Sequence, residues 1–173
     1  MSKVRRDMML IVVGGSVVAL DQVTKIWVQM HMKLHASKSI IPDVLDMHYI
    51  RNPGAAFGIL SGSHSSFRLP FLVGISILAI GIILYLFHKM DESEILVPVS
   101  LSLVLGGAIG NLIDRIRFGE VIDFISFQYK GLAWPCFNVA DIAITTGVFL
   151  LTLRMLFLNK EAKEKQEGIF LSP

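Results

Sequence analysis

Two aspartates in this chain stand among apolar neighbours, Asp123 in Val121-Ile122-Asp123-Phe124 and Asp141 in Phe137-Asn138-Val139-Ala140-Asp141. A charge at the edge of a hydrocarbon layer is costly, so an unforced carboxylate there is a candidate for function. Two carboxylates brought together share one proton, because like charges in contact resist double ionisation. One then serves as base and the other as acid, as in an aspartic peptidase. The alternative stays open at this point. Asp141 could merely complement a helix N-terminus that Asn138 caps, and Asp123, in a short β-branched run, could be a solvated loop residue.

Other chemistry is poorly supplied. Asp21 and Lys25 are four residues apart, so they share a helix face and can pair. A neutralised structural ion pair is the plainer reading. A Ser–Lys peptidase would need Lys25 desolvated beside a serine that no pattern identifies. His31 and His35 are also four apart, but no HExxH or carboxylate pattern joins them, and no metal site is expected. The one cysteine, Cys136, excludes an internal disulfide framework and has no paired histidine. A net charge of +2, with no basic stripe carrying interleaved aromatics, gives nucleic-acid binding no support. No cofactor motif is present.

The elements that must position these residues are membrane spans. The chain is 53% hydrophobic and its mean hydropathy is +0.63, too apolar for an ordinary soluble domain, and the apolar residues fall in long runs. Spans are expected at about 8–30, 69–87, 95–113 and 139–158, with polar outer segments at 31–68 and 114–138, all in one domain over 1–173. The first run, after the basic head Lys3, Arg5 and Arg6, is too long for a secretory signal and is read as retained. Val44 to Arg51 is strand-like, Asn52-Pro53-Gly54 is a turn, and Ala55 to Ile59 reads as a return strand that could take up an extended peptide. Gly106 and Gly110 form a small-residue face on the third span, followed by Asn111 and Arg115 on a common face. Trp27 and Trp134 suit membrane interfaces. The fold expected is an all-α membrane protein of four helices with a small extracytoplasmic β-rich cradle.

Four spans put both termini on one side. Lysines and arginines are nearly balanced between the sides, and the compact basic head tips the choice to cytoplasmic termini. Both aspartates then face outward. A small transporter with a proton relay is the competing class, against which Asp123 lies outside the apolar runs. A structural assembly factor is a third, in which both aspartates are dispensable.

The stretches Asp21-Gln22-Val23-Thr24-Lys25, Arg51-Asn52-Pro53-Gly54-Ala55-Ala56-Phe57-Gly58, Gly106 through Arg115, Val121-Ile122-Asp123-Phe124 and Phe137 through Ile144 together resemble the lipoprotein signal peptidase, or signal peptidase II, family. One departure is Ile142, where the family often has serine. The resemblance implies an aspartyl endopeptidase of the bacterial inner membrane with its site at the extracytoplasmic face. It would cut diacylglyceryl-modified prolipoproteins on the amino side of the lipidated cysteine, as a monomer among membrane phospholipids. Asp123 and Asp141 would be catalytic. Asn52, Gly54, Asn111, Arg115 and Asn138 would bind substrate, and Asp21 and Lys25 would support the site.

Overall fold

A computed structural model describes residues 3–54, 65–90 and 95–170, the side chains of 65 and 158–170 apart. Four helices in it are long and apolar enough to cross a membrane: Lys3–His31, Ser66–Lys89, Leu96–Phe118 and Val139–Phe157. The first comprises α1 (Lys3–Met9), one π-helical turn (Leu10–Gly14) and α2 (Gly15–His31). Strands β1 (Ser37–Ile41) and β2 (Leu45–Asn52) follow, then α3 (Ser65–Lys89) and α4 (Leu96–Phe118). Strands β3 (Val121–Tyr129) and β4 (Leu132–Ala133) precede the last helix, α5 (Val139–Phe170).

Helix α4 is the centre of the bundle. Half of its most apolar window is buried against protein, compared with 17% for the first and last spans and 11% for α3. Its small residues make this possible. A Cβ on Gly106 would lie 2.7 Å from the Gly14 carbonyl, one on Gly147 of α5 would lie 2.6 Å from the Ser100 carbonyl, and Gly107 abuts the Ala140 carbonyl. Backbones approach closely at small residues, and in lipid that packing holds helices together. Helix α3 leans on α4 through Ile83 and Phe87 against Leu101 and Leu105.

The strands form one antiparallel sheet in the order β1-β2-β3-β4. Tyr49 of β2 and Ile122 and Phe124 of β3 pack on Val28 near the end of α2, which seats the sheet on the first span. In the β2–β3 register Ile50 faces Asp123 and Arg51 faces Ile122, so Asn52 emerges beside Asp123.

Three boundaries differ from the sequence-based expectation. Helix α4 runs to Phe118 instead of ending at 113, so Asp114 and Arg115 belong to the helix and the second outer segment is shorter than 114–138. The charges at 114 and 115 do not end the helix, because Asp114 finds partners inside the protein. Gly119 ends it, at φ +73°, donating its N–H to the Arg115 carbonyl at 3.0 Å. Helix α3 begins at Ser65, which puts Pro70 inside the helix, and α5 continues helical through the basic tail to Phe170. Strand β1 was not foreseen within the polar connection. The return strand read at Ala55–Ile59 lies outside the described residues.

Candidate active site

Asp141 sits at the third position of α5 and Asn138 immediately precedes the helix. Their bonds are reciprocal: Asn138 Oδ1 accepts the Asp141 N–H at 3.0 Å, and Asp141 Oδ2 accepts the Asn138 N–H at 3.2 Å. This is a capping box with asparagine and aspartate in its two roles. The expected cap is therefore present, and it does not exhaust either side chain. Asn138 Nδ2 reaches across to Asp123 Oδ1 at 2.7 Å. It also lies 3.1 Å from Asn111 Oδ1 and 3.2 Å from the Ile122 carbonyl. One asparagine thus ties the two aspartates together.

Asp123 is not a solvated loop residue. It lies within β3 and is 1% exposed. Its second oxygen, Oδ2, accepts from Asn52 Nδ2 at 3.0 Å. Asn52 in turn holds the Gly54 N–H on its Oδ1 at 3.0 Å, which closes the Asn52-Pro53-Gly54 turn. Burial first, and the neighbouring charge of Asp141 second, push the Asp123 carboxyl up to about 7, although the amides of Asn52 and Asn138 and the charge of Lys25 pull it down. Asp141 is half-buried and opens onto a cavity of about 1110 Å³ between α3, α4, α5 and the end of β2.

That cavity has two ends of different character. Asn52, Asn111, Arg115 and Asp141 line the polar end, and Ile75, Ala79 and Ile83 of α3 with Val104 and Ala108 of α4 line a long apolar trough. Ile142, the residue that departs from the family pattern, also faces this space beside Asp141. Arg115 Nη2 lies 3.5 Å from the Gly54 carbonyl and Nη1 3.5 Å from the Asn111 carbonyl. It borders the cavity with reach to spare, since both contacts are long.

All nine residues singled out from sequence fall in one connected region. Asn111 donates Nδ2 to Asp141 Oδ1 at 2.8 Å and accepts Lys25 Nζ on its Oδ1 at 3.0 Å. Lys25 pairs with Asp21 at 2.8 Å as the spacing predicts. Sequence reasoning missed two members. Asp114 pairs with Lys25 at 2.8 Å and accepts the Ile122 N–H at 3.1 Å. Gln22 Nε2 bonds Asp114 Oδ1 at 3.0 Å and Asp21 Oδ2 at 3.2 Å. Both lie inside stretches that carried the family resemblance, so the signal was available.

Cys136 also faces the cavity. Its Sγ donates weakly to the His48 carbonyl at 3.4 Å, and burial with the charge of Asp123 pushes its thiol up to about 12. His31 stacks on Trp27 with ring centroids 4.6 Å apart, and its Nδ1 lies 2.8 Å from the Trp27 carbonyl. Among the described residues no group of three histidine, cysteine or acidic side chains is placed to hold a metal.

Comparison with known proteins gives the family of the chain. The family described as "Signal peptidase (SPase) II" matches residues 13–157. The lipoprotein signal peptidase of Syntrophus aciditrophicus is 45% identical over 151 residues, covering 87% of this chain and 94% of that protein. That of Geobacter sulfurreducens is 46% identical over 145 residues, covering 84% and 89%. Two solved structures, both titled as a bacterial membrane enzyme, are 39% identical and superpose with TM-scores of 0.78 and 0.75 over 85% of this chain, covering 87% and 92% of theirs. With a family match that reaches from within the first span to the end of the fourth and includes both aspartates, the chain is a multi-pass membrane protein and belongs to the signal peptidase II family.

Proposed function

We propose that this chain is a membrane aspartyl endopeptidase that removes the signal peptide from diacylglyceryl-modified prolipoproteins, cutting on the amino side of the lipidated cysteine. Asp123 and Asp141 are its catalytic pair. The observation that carries the reading is the pair itself. Two aspartates are joined through the Asn138 side chain, one of them facing a cavity lined by Asn52, Asn111 and Arg115 beside it and mostly by apolar residues of α3 and α4 farther along.

The chemistry needs one proton on the pair. Asp123, raised to about 7 and sealed from solvent, is the member that holds it at rest. Asp141, at a helix N-terminus that favours negative charge, is the base. It takes a proton from a water as that oxygen attacks the scissile carbonyl carbon. The leaving amine nitrogen receives a proton from the pair, and the pair ends with a single shared proton as it began. In this reading the peptide backbone displaces the Asn52 amide from Asp123, while Asn111 and Arg115 orient carbonyls and the Gly54 turn keeps the approach narrow.

The lipid does much of the recognition. Each methylene buried in hydrocarbon is worth roughly 0.8 kcal/mol, so two acyl chains hold the cysteine at the bilayer edge without many side-chain contacts. The apolar trough along α3 and α4 is suited to such chains. The protein resides in the bacterial inner membrane as a monomer, its termini cytoplasmic and its aspartates at the outer face. Labelling of single cysteines introduced near each terminus, in intact and opened cells, checks that orientation. The test of function is one purified enzyme with two precursors that differ only in the diacylglyceryl group. The lipidated precursor is cleaved and the other is not. Equal rates would show that peptide sequence alone is read and would overturn this account.

A further inference from the structure

Lys25 is 1% exposed within the first membrane-spanning helix. Its ammonium makes three contacts, with Asp21 Oδ2 at 2.8 Å, Asp114 Oδ2 at 2.8 Å and Asn111 Oδ1 at 3.0 Å. Neutralising one buried acid requires only one such partner. Here two carboxylates and an amide oxygen converge on one ammonium, and buried ion clusters of this kind are often no more stable than apolar side chains of similar volume. Retention of the cluster calls for a role other than stability.

The onward bonds supply that role. Asp21 Oδ1 accepts the N–H of Ala140, the residue before Asp141, at 2.9 Å. Asp114 Oδ2 accepts the N–H of Ile122, the residue before Asp123, at 3.1 Å. Asn111, its carbonyl oxygen held by Lys25, turns its Nδ2 onto Asp141 Oδ1 at 2.8 Å. Each of these three paths from the ammonium ends on one aspartate of the pair or on the backbone immediately before it. Gln22 closes the cluster by bonding both carboxylates. Gly110 makes room for it, since a Cβ there would lie 2.6 Å from Asp21 Oδ2.

We propose that the Asp21–Lys25–Asp114 triad is a positioning device for the dyad, in which Lys25 fixes the separation and orientation of Asp123 and Asp141 without touching substrate. The proposal rests on the aspartyl-peptidase reading given above. A displacement of about 1 Å at reacting groups costs on the order of 100-fold in rate, so a rigid link between β3 and α5 has a direct catalytic consequence. The same lysine also contributes field. The charged groups around it are Asp21 on its own helix and Asp114 on α4, with Arg115 beyond Asp114, Asp123 of β3 and Asp141 of α5 one amide further out.

The test uses the full chain, purified in detergent, acting on lipidated precursor. Lys25→Met lowers kcat by about 100-fold, with KM within about threefold of wild type because no substrate contact is lost. It also moves both limbs of the kcat–pH profile to higher pH by about half a unit or more, because a cation near the pair is gone. Lys25→Arg restores the limbs while kcat stays low, as a guanidinium keeps the charge and not the geometry. Gly110→Ala lowers kcat with the limbs unmoved. A purely structural lysine predicts a different result: activity falling only in proportion to folded protein, with limbs in place, and that result for Lys25→Met overturns the proposal. Should Lys25→Met not fold, wild-type kcat in both Lys25→Arg and Gly110→Ala overturns it instead. Failure of the underlying reading looks different, since Asp141→Asn would then still cleave.

Discussion

Strand β3 and the first turn of α5 each deliver one aspartate, and they deliver it into opposite surroundings. On β3, Asp123 is sealed at 1% exposure with an asparagine amide on each oxygen. On α5, Asp141 opens to the cavity and is held by the reciprocal bonds of a helix cap. Identical side chains are thereby made unequal. Burial favours the neutral form of the first, while the second stands at a helix N-terminus and opens to the cavity. Asn138 joins them from between, donating to Asp123 while accepting from the Asp141 backbone.

The sharpest way to break this inequality is to remove the charge from either side. Asp123→Asn and Asp141→Asn each lower kcat by on the order of 10⁴-fold, since members of one catalytic unit do not act additively. The double variant is scarcely worse than either single one. Turnover of lipidated precursor by the three purified variants measures this, and near-normal cleavage by either single variant sinks the aspartyl mechanism.

Removing the link is the next largest disturbance. Asn138→Ala deletes the amide on Asp123 and the cap of α5 together. Loss of the cap costs about 1 kcal/mol of stability. Misalignment of the pair costs roughly 100-fold in kcat. Asn138→Ser keeps a capping oxygen and loses the reach to Asp123, so it recovers stability and not rate. Comparison of unfolding midpoints with kcat for both variants decides it. Equal recovery of the two would mean that Asn138 serves α5 alone.

The four spans were legible because hydropathy in runs of this length has few other meanings. The helix ends were not. Asp114 and Arg115 read as the start of an outer segment, and only the burial of Asp114 against Lys25 and the Ile122 N–H explains why α4 continues. Strand β1 was hidden because it is exposed along its whole length, so no alternation marks it. Both aspartates could be picked out from their neighbours, but the sealing of Asp123 could not, because it depends on Asn52, 71 residues away. Asp114 shows the same limit. Its type and its place in a glycine-rich helix were visible, while the lysine that gives it a role lies on another span.

A smaller effect sharpens the comparison through pH. The pair works with one proton, and Asp123 of the free enzyme loses it at about 7, so kcat/KM falls above that pH by about tenfold per unit. Stability follows the same group. The folded carboxyl titrates at about 7 and the ordinary value is 3.8, so its contribution is complete below about pH 4 and is lost as pH rises towards 7, amounting to roughly 4 kcal/mol at most. Asp123→Asn removes that part of the slope, whatever constant offset its amide introduces. Thermal midpoints in detergent from pH 4 to pH 8 test it, and parallel curves for wild type and variant would refute the raised carboxyl.

The smallest effect belongs to the residue that most resembles an alternative nucleophile. Cys136 borders the same cavity as Asp141, so its position alone does not exclude it from chemistry. Its protonation state does. The nucleophilic form of cysteine is the thiolate, and with the thiol pushed up to about 12 by burial and by the charge of Asp123, almost none is present at neutral pH. The proton it keeps points at the His48 carbonyl, at 3.4 Å, and not at a base. Cys136→Ala therefore leaves kcat within about twofold of wild type, the range of an ordinary substitution that touches no reacting group. Small alkylating reagents at pH 7 react slowly with it and do not abolish turnover as a nucleophile's modification would. Rapid, stoichiometric inactivation by such a reagent, absent in Cys136→Ala, would place the thiol in the chemistry and end the division of labour between β3 and α5.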